Sequence, residues 1–167
     1  MDFTLKFTIV FLITFYFLFF LFQICQIVVI KKRILRLITN EKEISPNAFF
    51  MIHNTLNRKQ ENKFFYFDYS YWSKRNSCGV YVLFNKTKNK YYVGQSKKIF
   101  YRINNHFSGC GNHDVYDDYC HGDIFTIRII PLKKSNYISL NKLERHAIMT
   151  FKSYRNGYNK TRGNRNR

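Results

Sequence analysis

Acidic residues are scarce in this chain: ten Asp and Glu stand against 28 Lys and Arg, a formal charge of +18 in 167 residues. A field of that sign repels basic partners and draws polyanions, nucleic acid first and an anionic membrane surface second. Composition alone does not separate those two. Proline (two residues) and glycine (seven) are also sparse, while Lys, Asn, Ile, Tyr and Phe are heavily used. AT-rich coding produces such a bias, so part of the lysine excess is background. The four cysteines, Cys25, Cys78, Cys110 and Cys120, include no close pair. That excludes a disulfide scaffold and leaves reduced thiols. Cys110, His113, Cys120 and His121 have zinc-binding chemistry, but adjacent Cys120 and His121 would point apart in a strand. No internal repeat is present, and no finger or helix-turn-helix spacing marks a separate DNA-reading module.

What is present divides unevenly. Residues 1–77 carry 11 basic and 5 acidic residues, and residues 78–167 carry 17 and 5. Residues 7–30 contain no charge, and only Gln23 and Gln26 are strongly polar. A helix of that length spans about 36 Å, enough for a bilayer core. Lys31, Lys32, Arg33 and Arg36 follow at once, which orients the C-terminal flank to the cytosolic or matrix side. The charge lies on the wrong flank for a cleaved signal peptide. A retained transmembrane helix is the reading, with read-through from an upstream exon as its alternative. Residues 1–38 are thus a hydrophobic segment with a basic flank, 31–38 continuing as a short basic helix or its fraying end. Residues 39–77 read as a linker or extension, with a turn or helix start at Ser45-Pro46-Asn47. The aromatic run 64–72 reads as strand-forming or linker.

From Cys78 the pattern sharpens. Gly79–Phe84 and Tyr91–Gly94 form a hairpin across a polar connection. Ser96 is placed to cap a helix whose apolar stripe is Ile99, Ile103 and Phe107. Ser108–Asp118 reads as a loop and Asp123–Ile130 as a third strand stopped by Pro131. Ser139–Phe151 reads as a second helix, burying Leu140, Leu143, Ala147 and Met149 or Phe151. The expected fold class is α/β: a small three-stranded antiparallel sheet flanked by helices, preceded by a transmembrane helix, with a basic tail at 161–167.

Gly79-Val80-Tyr81 and Tyr92-Val93-Gly94, on neighbouring strands with the tyrosines eleven positions apart, resemble the two motifs that name the GIY-YIG nuclease superfamily. Arg102, His106 one turn later, Glu144 within Leu140-x-x-Leu143-Glu144-x-x-x-Ile148, and Asn159 within Gly157-Tyr158-Asn159 complete the pattern. His113 resembles a second histidine of the phage and intron-homing branch. Valine replaces isoleucine in both named motifs. The resemblance covers residues 78–160.

The resemblance implies a metal-dependent endonuclease acting on double-stranded DNA, of homing type, with Mg²⁺ (Mn²⁺ as substitute) held by Glu144. Phosphodiester cleavage requires an activated water, neutralised phosphate oxygens and a stabilised leaving group. Arg102 would fork onto the phosphate. Tyr81 would be the general base, Tyr92 would position water or phosphate, and His106 would relay a proton or hydrogen-bond a tyrosine. His113 would assist from the loop, and Asn159 would hold the glutamate or the backbone in register. Lys97, Lys98, Lys152, Arg155, Lys160 and Arg162 would contact DNA backbone phosphates. Taken singly, each residue has a plainer role: surface charge for Arg102 and Glu144, sheet packing for the tyrosines. Alternatives are a membrane-tethered repair or restriction nuclease and a non-catalytic DNA-binding remnant. The expected location is a mitochondrion or other organelle, with a viral or soluble intracellular setting as the alternative.

Overall fold

The computed structural model describes residues 3–50 and 78–164. The aromatic run 64–72 lies outside them. Strands β1 (Gly79–Asn85), β2 (Lys90–Ser96) and β3 (Phe125–Pro131) form one antiparallel sheet in the order β2-β1-β3. Helix α1 (Phe3–Thr39) precedes the sheet. Helices α2 (Ile99–Phe107) and α3 (His113–Cys120) lie between β2 and β3, and α4 (Leu140–Phe151) follows β3.

β1 is almost wholly apolar because it is central and covered on both faces, so its side chains feed two cores. Val80 and Val82 join Val93 and Ile130 against Leu143, Ala147 and Ile148 of α4 and Ile34 and Ile38 of α1. Tyr81 and Leu83 join Ile127 and Ile129 against Ile99, Ile103 and Phe107 of α2. The architecture is therefore three-layered: α1 with α4, the sheet, then α2 with α3. This alternation puts Tyr81 and Tyr92 on the α2 face and Val80, Val93 and Gln95 on the α4 face.

Both sheet edges are closed by single residues. At β3, Ile44 exchanges two backbone hydrogen bonds with Ile127 (3.0 and 2.8 Å). At β2, the side-chain amide of Asn159 does the same to Val93 (2.9 and 2.7 Å). Such closure removes a template for unwanted strand pairing. Ser45 accepts from the Ala48 amide and starts the helical stretch at 46–50, whose Phe49 stacks on Phe100 with ring centroids 5.4 Å apart.

Two local expectations need correction and two are narrowed. Residues 108–118 are not simply a loop: α3 occupies 113–120, opened by the Asn112 side chain accepting from the Val115 amide. Ser96 does not cap α2; it ends β2 and accepts from the Lys98 amide two residues on, a local turn. Residues 31–38 take the helical alternative and continue α1, and they are not a solvated end, because Ile34 and Ile38 are buried in the core. Of Met149 and Phe151, Phe151 packs on the core and Met149 is 41% exposed, while Ile148 is buried in addition.

A polar network ties the hairpin turn to α3 and the C-terminal segment. Buried Asn85 donates to Asp123 and to the Tyr158 hydroxyl, both at 2.7 Å, and that hydroxyl donates to Asp118 at 2.6 Å. Lys88 closes the circuit by pairing with Asp118 and Asp123. Replacing Asn85 strands these partners away from water. We expect Asn85→Ala to lower unfolding stability by about 2 kcal/mol in denaturant melts; an unchanged midpoint would show that the network contributes nothing.

Candidate active site

The site begins with Tyr81, whose ring is buried at the centre of β1. Its cross-strand partner is Gly94, and a Cβ there would lie 2.3 Å from the Tyr81 hydroxyl oxygen. Gly79 is equally constrained: a Cβ would meet the Ile130 carbonyl at 2.4 Å. The glycines of both motifs are therefore steric requirements, one for the ring and one for the neighbouring strand. Tyr92 stands beside Tyr81 on the same face, with ring centroids 6.2 Å apart.

α2 presents Arg102 and His106 to these rings from positions one turn apart. The His106 Nε2 lies 2.9 Å from the Tyr81 hydroxyl oxygen, and its ring centroid lies 4.6 Å from that of Tyr92. Behind the imidazole, the Asn112 backbone amide donates to Nδ1 at 2.9 Å. Burial, helped by the Arg102 charge, lowers His106 to about 4, so the ring is neutral at neutral pH. An amide N–H can only donate, so Nδ1 carries no proton and Nε2 does. His106 therefore donates to the Tyr81 oxygen. Of the two roles expected for this histidine, the structure supports the hydrogen bond, with His106 as the donor. The close wrap over the ring needs Gly111, where a Cβ would lie 2.6 Å from Nδ1 and 2.7 Å from the His106 Cα.

Burial raises Tyr81 well above the usual phenol range, the neighbouring Tyr92 adding to this and Arg102 opposing it. Burial also raises Tyr92, again opposed by Arg102. Both are phenols at neutral pH. The surroundings of Tyr81 nevertheless favour a transient negative charge on its oxygen, since the His106 N–H and the Arg102 cation both face it.

Glu144 comes from the other face of the sheet and is buried on α4. The charge of Glu144 still bears on Tyr92, so the carboxylate shares the β2 end of the sheet with the phenols. Its Oε2 accepts from Gln95 Nε2 (2.9 Å) and from the Asn164 amide (3.3 Å). Gln95 also donates to Asn141 on the same helix (2.7 Å). The Gln95 backbone amide also bonds to the carboxylate. Burial raises the Glu144 carboxyl, and the Asn164 and Gln95 bonds oppose that.

The donor set fits Mg²⁺, which tolerates a single carboxylate and draws its remaining ligands from water and phosphate. Among the described residues, no group of three or more His, Cys, Asp or Glu side chains is placed to hold an ion. Cys110, His113, Cys120 and His121 thus form no zinc centre.

Of the two roles expected for Asn159, the structure shows the backbone one: its amide bonds Val93 and holds β2 in register. Other expected site residues lie apart from these bonds. His113 is exposed at the first turn of α3 and joins none of these bonds. Lys97 and Lys98 are exposed between β2 and α2. Lys160 pairs with Asp114, while Lys152, Arg155 and Arg162 line a cleft beside α1. The sequence reading missed Gln95, Gly111 and Asn112 as partners of the site. Gln95 and Gly111 adjoin residues of note, but only the folded contacts reveal their partners.

Two phenols, a guanidinium and a lone carboxylate at one end of a three-stranded sheet define an endonuclease domain. Residues 77–159 match the family described as the GIY-YIG catalytic domain, and over those residues the chain belongs to that family. A solved structure of the catalytic domain of intron endonuclease I-TevI, in mutant form, is 27% identical to it. That match covers 53% of this chain and 97% of the other, with a TM-score of 0.41. No curated protein matches the chain.

Gln95→Ala removes a hydrogen bond that favours the charged carboxylate. The Glu144 pKa should then rise, moving the acid limb of the cleavage-rate profile to higher pH, with a rate loss of about tenfold or more. A profile with an unmoved acid limb would remove Gln95 from the site.

Proposed function

We propose that this chain is a Mg²⁺-dependent endonuclease that nicks or cuts double-stranded DNA, of the intron-homing type. The observation that carries the chemistry is the convergence of Arg102, the Tyr81–Tyr92 pair and the Glu144 carboxylate at the β2 end of the sheet. The homing assignment rests on His113, which resembles a second histidine of the phage and intron-homing branch.

The Glu144 carboxylate would hold the ion, with Mn²⁺ able to substitute, and the bound cation would supply positive charge to the phosphate. Arg102 orients the scissile phosphate through its planar fork. Tyr81 serves as base in its phenolate form: its own proton goes to solvent, the phenolate oxygen accepts the proton of the attacking water, and His106 N–H and Arg102 stabilise the phenolate charge. Tyr92 positions that water through its hydroxyl. Lys97 and Lys98 steady the duplex by its backbone, without reading bases.

A second proposal concerns α1, which we read as a membrane anchor. Its side chains from Phe7 to Val29 are exposed and almost all large and apolar, and the span passes the length and hydropathy requirements for crossing a bilayer. This supports a membrane-tethered nuclease.

The full chain in detergent should relax supercoiled plasmid only with Mg²⁺ or Mn²⁺. Glu144→Ala should reduce the rate about 10³-fold, and Arg102→Lys about 10²-fold despite its retained charge. Equal nicking by wild type and Glu144→Ala would defeat the nuclease assignment. For the anchor, alkaline carbonate should leave the full chain in the membrane pellet, and its release would exclude a spanning helix.

A further inference from the structure

We propose that the cleft between α1 and the C-terminal end of α4 binds the headgroup of one anionic phospholipid. This rests on the reading of α1 as a membrane anchor. The cleft has a volume of about 460 Å³ and gathers Arg145, Lys152, Arg155 and Arg162. Among the described residues its lining contains no acid, and none of these four cations forms an ion pair with a described acid. Arg162 instead lies over the Tyr154 ring, 5.5 Å from its centroid. Four unneutralised cations around one small space repel each other, and an anion between them removes that cost.

The position selects the kind of anion. Ile27, in the last turn of the uncharged run, forms part of the cleft, together with Ile148 and Met149. Ile27 and Ile34 are seven residues apart and share a helix face, and Ile34 is the point at which α1 enters the core. The α1 face that packs on α4 therefore continues toward the apolar run, and the cleft opens where that packing ends. A bilayer around residues 7–30 brings its headgroup layer to this level. One wall is then apolar, for the first methylenes of an acyl chain, and the rest is cationic, for a phosphate. Guanidinium groups suit phosphate oxygens through paired donors. Free phosphate would use the cations and leave the apolar wall unmatched. A DNA duplex would have to approach through the lipid surface.

The full chain in a non-ionic detergent, without metal or DNA, would be titrated with phosphatidylglycerol or phosphatidylcholine and weighed intact by native mass spectrometry. One phosphatidylglycerol should remain bound per chain and phosphatidylcholine should not. The variant R145Q/R155Q/R162Q should lower that occupancy about tenfold or more, and K90Q/K97Q/K98Q, which removes the same charge elsewhere, should not. Met149→Trp, which fills the cleft without changing charge, should also lower it. Equal retention of phosphatidylcholine, equal loss in the two charge variants, or undiminished binding in the cleft variants would overturn the proposal. So would a cleft variant that keeps phosphatidylglycerol but loses affinity for a short duplex, which would make the cleft a DNA track. Because the readout needs neither cleavage nor metal, its failure is separable from failure of the nuclease assignment.

Discussion

The hydrogen bond from His106 to the Tyr81 oxygen is the constraint on which the rest of the site depends. It fixes a buried phenol against a buried, neutral imidazole, and the direction of donation is set from behind by the Asn112 amide. That arrangement requires β1 to place Tyr81 on the α2 face, Gly94 to leave room for the ring, and Gly111 to let the loop close over the imidazole. A phenol in such a position resists ionisation because burial disfavours charge. It also has an N–H donor and a cation ready when charge develops. The surroundings thus keep the phenol neutral at rest and would stabilise its phenolate once the proton has passed to solvent.

The sheet supplies the second constraint. Because alternate residues of β2 face opposite ways, Tyr92 reaches one side and Gln95 the other. Gln95 holds Glu144 from the α4 layer, so two half-sites on opposite faces meet at one strand end. Asn159 secures that strand by completing the hydrogen bonds of Val93. Its contribution to the site passes through the backbone of β2, and its amide is not available to a substrate.

Much of this was legible in the sequence, for physical reasons that can be named. The run Gly79–Phe84 is apolar at every position but the tyrosine, and it became the doubly covered central strand. Ile99, Ile103 and Phe107 fall on one helical stripe, and all three are buried. α3 was hidden because its eight residues bury only Val115, too little for a periodic signal, and because its cap, Asn112, lies in a glycine-rich stretch. The Ile44–Ile127 pairing and the Asn112–His106 bond were hidden for a different reason: they are set by tertiary placement, which local pattern does not encode. Residues 31–39 misled because their charges read as a solvated flank, while Ile34 and Ile38 on the other face carry the packing. Arg33 has a role there as well, donating to the carbonyls of Ser135 and Asn136 and lying over the Tyr137 ring. The C-terminal end of the apolar helix and the catalytic fold consequently share one packed core.

The central claim is that His106 donates to Tyr81 and does not accept from it. The most direct test is the nitrogen chemical shifts of selectively labelled histidine in the full chain, assigned by a His106→Gln variant and followed from pH 5 to 8. The account predicts a neutral ring throughout, protonated at Nε2 and bare at Nδ1. A ring protonated at Nδ1, or one that gains a second proton near pH 6.5 as an ordinary histidine does, would contradict it.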